Sequence, residues 1–493
     1  MRRLENRPSQ RAPRRVPRSA TVAAGTGWSW LADSKYKPAM TLMMYLMLFS
    51  IAVPANVLSR QGDDTALGEP NPLYRTLKLA LLAAGVAVLI WRHLFAAQLA
   101  REINKFFIAI MALVLLSTTW SIEPAVTMTR FLGLLTICLV CGGCVMVGWY
   151  DRRFQEIVRS FLTALMVGSL IFGLIAPDLA KEHGTGISLA GAWAGLTSQK
   201  NELGHAASIA VFLWVHGLLT KEVKFRYFAL GFSAAATCLI LSRSSTSIFS
   251  ALFSSMLLLL LLRGPKGKRR YMAFIIAVFA TMILLYSLAV LNIIPGLDFL
   301  LQPVIALTGK DATFSGRTQI WVVIREHISQ RPVLGTGYGA YWIGPLPRSP
   351  SSVFITRKSA FYPTESHNGY LEIINDLGYV GLLCLLGYLL VFLRQSLALL
   401  KLDYNQATLY LALLFAELIN NLTESDWFGS GGVAMPIVTL ATFGLARALL
   451  EQRWRSQAQQ MPLATPPTPP TGRRPRSLSG RRSRWRAGGP ETS

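Results

Sequence analysis

About twelve apolar stretches, each close to the length that crosses a bilayer, decide what this chain can fold into. They lie near 38–58, 76–96, 104–120, 125–149, 155–176, 203–220, 225–242, 245–262, 271–294, 369–393, 405–422 and 432–450. A hydrocarbon core of roughly 30 Å needs about 20 apolar residues per helix. Inside lipid every backbone polar group must be satisfied within its own segment, so these stretches are expected to be helices. A closed barrel would need short alternating segments, which the sequence lacks. At 52% apolar residues over 493 positions, a soluble fold is excluded. The expected class is an all-α polytopic membrane protein of about 12 transmembrane helices.

The formal charge of +24 is large enough to suit a nucleic-acid binder, but its distribution points elsewhere. Residues 1–37 and 447–493 together carry +15 of it. The rest gathers in alternate short connections, such as Arg152 with Arg153, and Lys221, Lys224 and Arg226. Lys/Arg enrichment in alternate loops marks the cytoplasmic side, so both termini are expected there and no nucleic-acid partner is called for. Adhesion of these basic segments to anionic membrane lipid is a second expectation.

The chain then divides into a basic disordered tail at 1–37, spans one to nine over 38–294, and a large outer loop at 295–368. Spans ten to twelve follow over 369–450, and a Pro/Arg-rich disordered tail over 451–493. The first 27 residues hold no apolar core or cleavage site, so they read as a tail and not as a signal. Cys138, Cys141, Cys144, Cys238 and Cys384 all fall in expected spans. The first three sit in a small-residue helix and read as packing residues, with no metal and no disulfide.

Loops longer than about 15 residues are usually functional or disordered. The outer loop carries many aromatics, Tyr338 among them, an amphipathic stretch from Thr318 to Ser329, and a Gly-rich run, Leu334-Gly335-Thr336-Gly337-Tyr338-Gly339. It is therefore expected to hold short helices and to offer aromatic platforms for sugar rings. No internal duplication is visible, which weakens an inverted-repeat transporter.

Charged residues at the membrane edge are costly and need explaining. On the outer side these are Lys200-Asn201-Glu202, Arg243 between Ser242 and Ser244, Arg317, His367 beside Asn368, and Glu424 with Asp426. Each has a plainer reading. Lys200 could snorkel to headgroups, Arg243 could anchor them, and His367 could cap the tenth span. Arg317 at a helix start opposes the macrodipole, leaving a salt bridge to a loop acid as its structural role. Glu424 and Asp426 could simply pair with these cations. Together, cations from three outer connections and one histidine suit a diphosphate, because guanidinium binds phosphate oxygens in a fixed fork. A lipid-linked diphosphate would enter sideways, Arg residues would stabilise charge on the leaving phosphate, and a near-neutral histidine would take a proton from an attacking hydroxyl. No P-loop, no dinucleotide fingerprint and no paired carboxylate run for a divalent ion is present, so neither cofactor nor metal is expected.

Five segments, in order, carry a family resemblance: Ser198-Gln199-Lys200-Asn201-Glu202-Leu203-Gly204, Leu241-Ser242-Arg243-Ser244, Phe314-Ser315-Gly316-Arg317-Thr318-Gln319-Ile320-Trp321, Pro332 to Gly339, and Ser366-His367-Asn368-Gly369-Tyr370-Leu371. They resemble the O-antigen ligase and polymerase superfamily, and within it the exopolysaccharide-production (ExoQ-like) branch, over roughly 38–450. The resemblance implies a GT-C-like, metal-independent, inverting glycosyltransferase of a bacterial inner membrane, with a periplasmic site. Its donor would be an undecaprenyl-diphosphate-linked oligosaccharide. It also implies that Arg243, Arg317 and His367 are catalytic, and that Lys200, Asn201, Tyr338 and Asn368 bind substrate. A chain-length regulator and export machinery are partners expected from the family alone. The leading expectation is a polymerase of lipid-linked repeat units. A ligase using the same chemistry on another acceptor, a lipid-saccharide transporter, and a membrane-anchored sensor or scaffold are the alternatives.

Overall fold

A computed structural model describes residues 34–55, 57–59, 72–182, 191–263, 271, 278, 279, 281, 317–344, 349–356 and 363–460. They belong to a main body that ends at Glu451 and a C-terminal unit from Gln452, described as helix as far as Gln460. The described residues are helical, with no strand; Lys181 and Trp193 form an isolated antiparallel bridge.

In chain order the principal helices are α1 (Lys37–Ala52), α2 (Pro72–Trp91), α3 (His93–Glu102), α4 (Lys105–Leu116), α5 (Pro124–Met146), α6 (Arg153–Ile175) and α7 (Lys200–Leu219). They continue with α8 (Phe225–Leu241), α9 (Ser245–Arg263), α10 (Arg317–Gln330), α11 (Gly369–Leu399), α12 (Tyr404–Asn420) and α13 (Ala434–Gln460). Among them α2, α5, α6, α7, α9, α11 and α13 are long and apolar enough to cross a membrane, while α1, α4 and α8 are shorter apolar helices. The protein is a multi-pass membrane protein. Each expected span meets a helix except 271–294, which lies almost wholly outside the described residues. Helix α3 was not expected. It follows a break at Arg92 and buries only Phe95 and Leu99, the narrow apolar stripe of an amphipathic segment.

The bundle is organised around α7, which packs against α6, α8, α9 and α12 and is buried on nearly every face. Its small residues, Gly204, Ala206, Ala207 and Ala210, let neighbouring helices approach closely, the usual basis of helix association in lipid.

Helix α11 is broken at Gly378, whose φ of 67° and ψ of −170° are open only to a residue without a side chain. A Cβ there would lie 2.1 Å from the Val333 carbonyl oxygen. The break frees amides that the Gly-rich run takes up. Tyr379 N–H donates to Pro332 O at 2.8 Å, and Thr336 N–H and Gly337 N–H donate to Asn375 O and Asp376 O, each at 3.0 Å. The run thus docks onto a spanning helix, so that non-helical backbone there finds partners in protein.

Helix α10 starts one residue before the expected amphipathic stretch. Its apolar face (Ile320, Trp321, Ile324) packs with Tyr341, Trp342 and Phe354 of the loop and Leu371 and Ile374 of α11 into one buried cluster. Tyr341 and Trp342 therefore serve as core and not as sugar-stacking platforms, while Phe314, Phe361 and Tyr362 lie outside the described residues. Tyr341 and Trp342 are 1% and 5% exposed, because the loop spends its aromatic area on its own core.

Candidate functional site

Helices α7, α9 and α11 begin at one end of the bundle, where the connections containing the charged motifs are tied to one another. The first tie is steric. Gly204, one turn into α7, lies so close to the Arg243 connection that a Cβ would stand 2.8 Å from both Ser242 Oγ and Ser244 Cβ. The Lys200 motif and the Arg243 motif are thereby pressed together. The second tie is a hydrogen bond across 177 positions, in which Thr423 Oγ1 donates to Thr246 Oγ1 at 2.9 Å. It joins the Arg243 connection to the segment that carries Glu424.

Glu424 is the hub. Its Oε1 accepts from Arg317 Nη2 at 2.7 Å, and its Oε2 lies 3.4 Å from His367 Nδ1. The same His367 nitrogen is 3.0 Å from Glu365 Oε1, which in turn accepts from Gln199 Nε2 at 3.4 Å. One chain of polar contacts therefore runs from the start of α10, through the segment after α12, to the segment before α11 and back to α7. Two cations of these connections sit on unusual backbone. Arg243 and His367 have φ of 52° and 51°, values that cost a residue with a Cβ of the order of 1 kcal/mol and cluster at functional sites.

The electrostatics differ from the expectation of a near-neutral histidine. Burial opposes a charge on His367, but the carboxylates of Glu365 and Glu424 outweigh it and push its pKa up to about 9. Burial likewise opposes a charge on Glu424, yet Arg317 and His367 hold its pKa down at about 2. At neutral pH the ring is an imidazolium between two carboxylates.

The seven residues expected at the site are placed as follows. Arg317 opens α10 and makes a salt bridge, the structural role left open for it by its position against the macrodipole. His367 does not cap α11; Asn368 does, its Oδ1 accepting from Tyr370 N and Leu371 N while its Nδ2 donates to Leu422 O. Asn368 is fully buried. Arg243 is exposed on the rim, and Lys200 and Asn201 are half-buried at the start of α7. Tyr338 is 5% exposed and donates its hydroxyl to Phe428 O, which makes it an anchor of the Gly-rich run.

Two carboxylates, Glu365 and Glu424, were not assigned a site role from sequence, although Glu424 stood among the outer charged residues and Glu365 lies two positions before His367. A second cluster was missed. His205 Nδ1 lies 2.9 Å from Asp426 Oδ2, and its Nε2 lies 3.1 Å from Glu417 Oε1. Each cluster, Glu365/His367/Glu424 and His205/Glu417/Asp426, brings three atoms of metal-ligand type within 4.8 Å of one another. No spacing rule reveals either, because each draws on separate segments. In the second, the two carboxylates engage different ring nitrogens of His205, so one ion could not replace both contacts. In the first, Arg317 and the imidazolium already balance two carboxylates.

A membrane-embedded helical bundle with a cationic, carboxylate-buffered rim defines the class, and comparison with known proteins agrees. A family model described as O-Antigen ligase matches residues 230–386, a range that contains Arg243, Arg317 and His367. The exopolysaccharide production protein ExoQ of Rhizobium meliloti (strain 1021) is 26% identical over 318 residues, covering 60% of this chain and 67% of that protein. The chain is thus similar to the O-antigen ligase family over this range and to ExoQ over a longer one.

Proposed function

We propose that the protein is a polymerase that joins undecaprenyl-diphosphate-linked oligosaccharide repeat units into an exopolysaccharide at the periplasmic face of a bacterial inner membrane. The Arg317–Glu424–His367 relay carries this reading. It places a guanidinium and an imidazole at the end of the bundle where α7, α9 and α11 begin, and helix N-termini favour anions there. In the proposed reaction the diphosphate of the donor binds Arg317 and Arg243. A sugar hydroxyl of the incoming unit attacks the anomeric carbon from the face opposite the diphosphate. The new C–O bond forms as the bond to the diphosphate breaks, inverting the centre and releasing undecaprenyl diphosphate. His367, with Nδ1 held by carboxylates, takes the hydroxyl proton on its other nitrogen from its neutral form, in the manner of an imidazole oriented by an acid. No step calls on a metal. The name of the ExoQ relative supports exopolysaccharide production; the description of the matching family supports a ligase, which differs in acceptor and not in chemistry.

Reconstitution with a lipid-diphosphate oligosaccharide tests the proposal. Products longer than one repeat unit, lost in Arg317→Ala, are expected. Transfer only to an unrelated acceptor would establish the ligase, and movement of intact donor without bond cleavage would establish a transporter.

A further inference from the structure

A cavity of about 780 Å³ opens at the other end of the bundle. It lies between the start of α1, the start of α6 and the last turns of α7, where Lys37, Arg153 and Trp214 stand. Trp214 is fourteen positions beyond the Lys200 end of α7, or about 21 Å along a helix rising 1.5 Å per residue. Nothing in the proposed chemistry uses this space.

Its lining is cationic at the floor. Lys37, Arg153 and Arg159 face it against the carboxylate of Glu156, which already accepts the Tyr150 hydroxyl. Arg153 is fully buried. It reaches the Val147 and Lys37 carbonyls and Thr41 Oγ1, but its Nε has no hydrogen-bond partner. Arg159, 8% exposed, has an Nη1 that makes no hydrogen bond and stands 3.6 Å from Glu222 Oε2. Around the floor stand Tyr45, Tyr150 and Trp214, the residue types that settle at headgroup depth; Lys37 Nζ lies 4.1 Å from the Tyr150 ring centre.

The mouth is apolar and continues as a stripe. Ala164 and Val167 line it, and Ile171, Leu174 and Ile175 follow on α6 at helical spacing, exposed by 50%, 81% and 78%. A soluble anion has no use for such a stripe, but an acyl chain does. The volume lies within the roughly 300–1,000 Å³ typical of ligand sites. Basic pockets between spanning helices are a known mode of anionic lipid recognition.

We propose that this cavity binds one anionic phospholipid from the leaflet opposite the reaction site, its phosphate against Lys37 and Arg159 and its acyl chain along Ala164 and Val167. The test is native mass spectrometry of the detergent-purified full chain after addition of phosphatidylglycerol or phosphatidylcholine of equal chain length. One phosphatidylglycerol should be retained at least tenfold more strongly than phosphatidylcholine. Lys37→Gln with Arg159→Gln should abolish the preference. Ala164→Trp, which keeps every cation but blocks the mouth, should abolish retention without lowering the melting temperature in phosphatidylcholine. Equal retention of the two lipids, a preference unchanged in both variants, or displacement of the lipid by millimolar inorganic phosphate would overturn the proposal. So would selective retention of a polyprenyl phosphate in place of phosphatidylglycerol.

Discussion

Arg317 and Glu424 meet at 2.7 Å across 107 positions of sequence, and His367 lies against the other oxygen of the same carboxylate. In the structure Glu424 holds both cations in place, and a diphosphate arriving at the site would compete for them. Arg317→Ala should lower polymerisation by roughly 10²–10³-fold, the loss expected when one donor to a developing oxyanion is removed. Arg317→Lys should recover little, because an ammonium lacks the planar fork. Chain-length analysis of the product reads both. Activity of Arg317→Ala within threefold of wild type would remove Arg317 from the reaction.

The pH dependence of the rate separates two roles for His367. If it is the base, only its neutral form works, and with its pKa at about 9 that form grows about tenfold per pH unit between pH 6 and 8. The rate should climb accordingly and level off near pH 9. A rate that is flat from pH 6 to 8 and falls above 9 would instead make the ring a fixed cation for the donor.

Stability should follow the same groups with opposite signs. The Glu424 pKa is depressed, so its contribution is present above about 4.5 and lost as pH falls toward 2. The His367 pKa is raised, so its contribution is complete below about 6.5 and lost as pH rises through 9. The melting temperature in detergent should therefore be highest near pH 5–6. Glu424→Gln should flatten the acid limb, and an unaltered acid limb would show that other groups govern it.

Gly204→Val tests the contact between α7 and the Arg243 connection. The added carbon would meet Ser242 Oγ and Ser244 Cβ at 2.8 Å, and overpacking of this kind costs about 1–3 kcal/mol. Displacement of Arg243 should reduce turnover at least tenfold in protein that still inserts and folds. Full activity would mean that the position of Arg243 is set elsewhere.

Backbone and side chain can be separated at Arg243 itself. With φ at 52°, Arg243→Gly should be at least as stable as Arg243→Ala, since glycine accepts this conformation without cost. Both should be equally inactive if the guanidinium is what matters. Retained activity in the glycine variant alone would point to the backbone.

The helices were legible because hydropathy acts locally: a lipid-spanning segment needs about 20 apolar residues whatever surrounds it. The amphipathic stretch of α10 was legible for the same reason, its apolar positions recurring at helical spacing. The site was legible only as a set of residues that lacked an alternative use. Arg317 could be singled out because a cation at a helix start opposes the dipole, but its partner Glu424 comes from another connection and no spacing announces it.

Sequence alone therefore determined the membrane-embedded helical class, a family resemblance, and the cationic and histidine residues around which a site could form. Tertiary structure decided what those residues are to one another. It set the charge of His367 through two carboxylates, gave Asn368 the capping role, sent Tyr338 inward to Phe428, and broke α11 at Gly378 to receive the Gly-rich run. Burial and pairing between distant segments decide such matters. Both are properties of the assembled bundle, whereas apolar length and periodicity are already present in the chain.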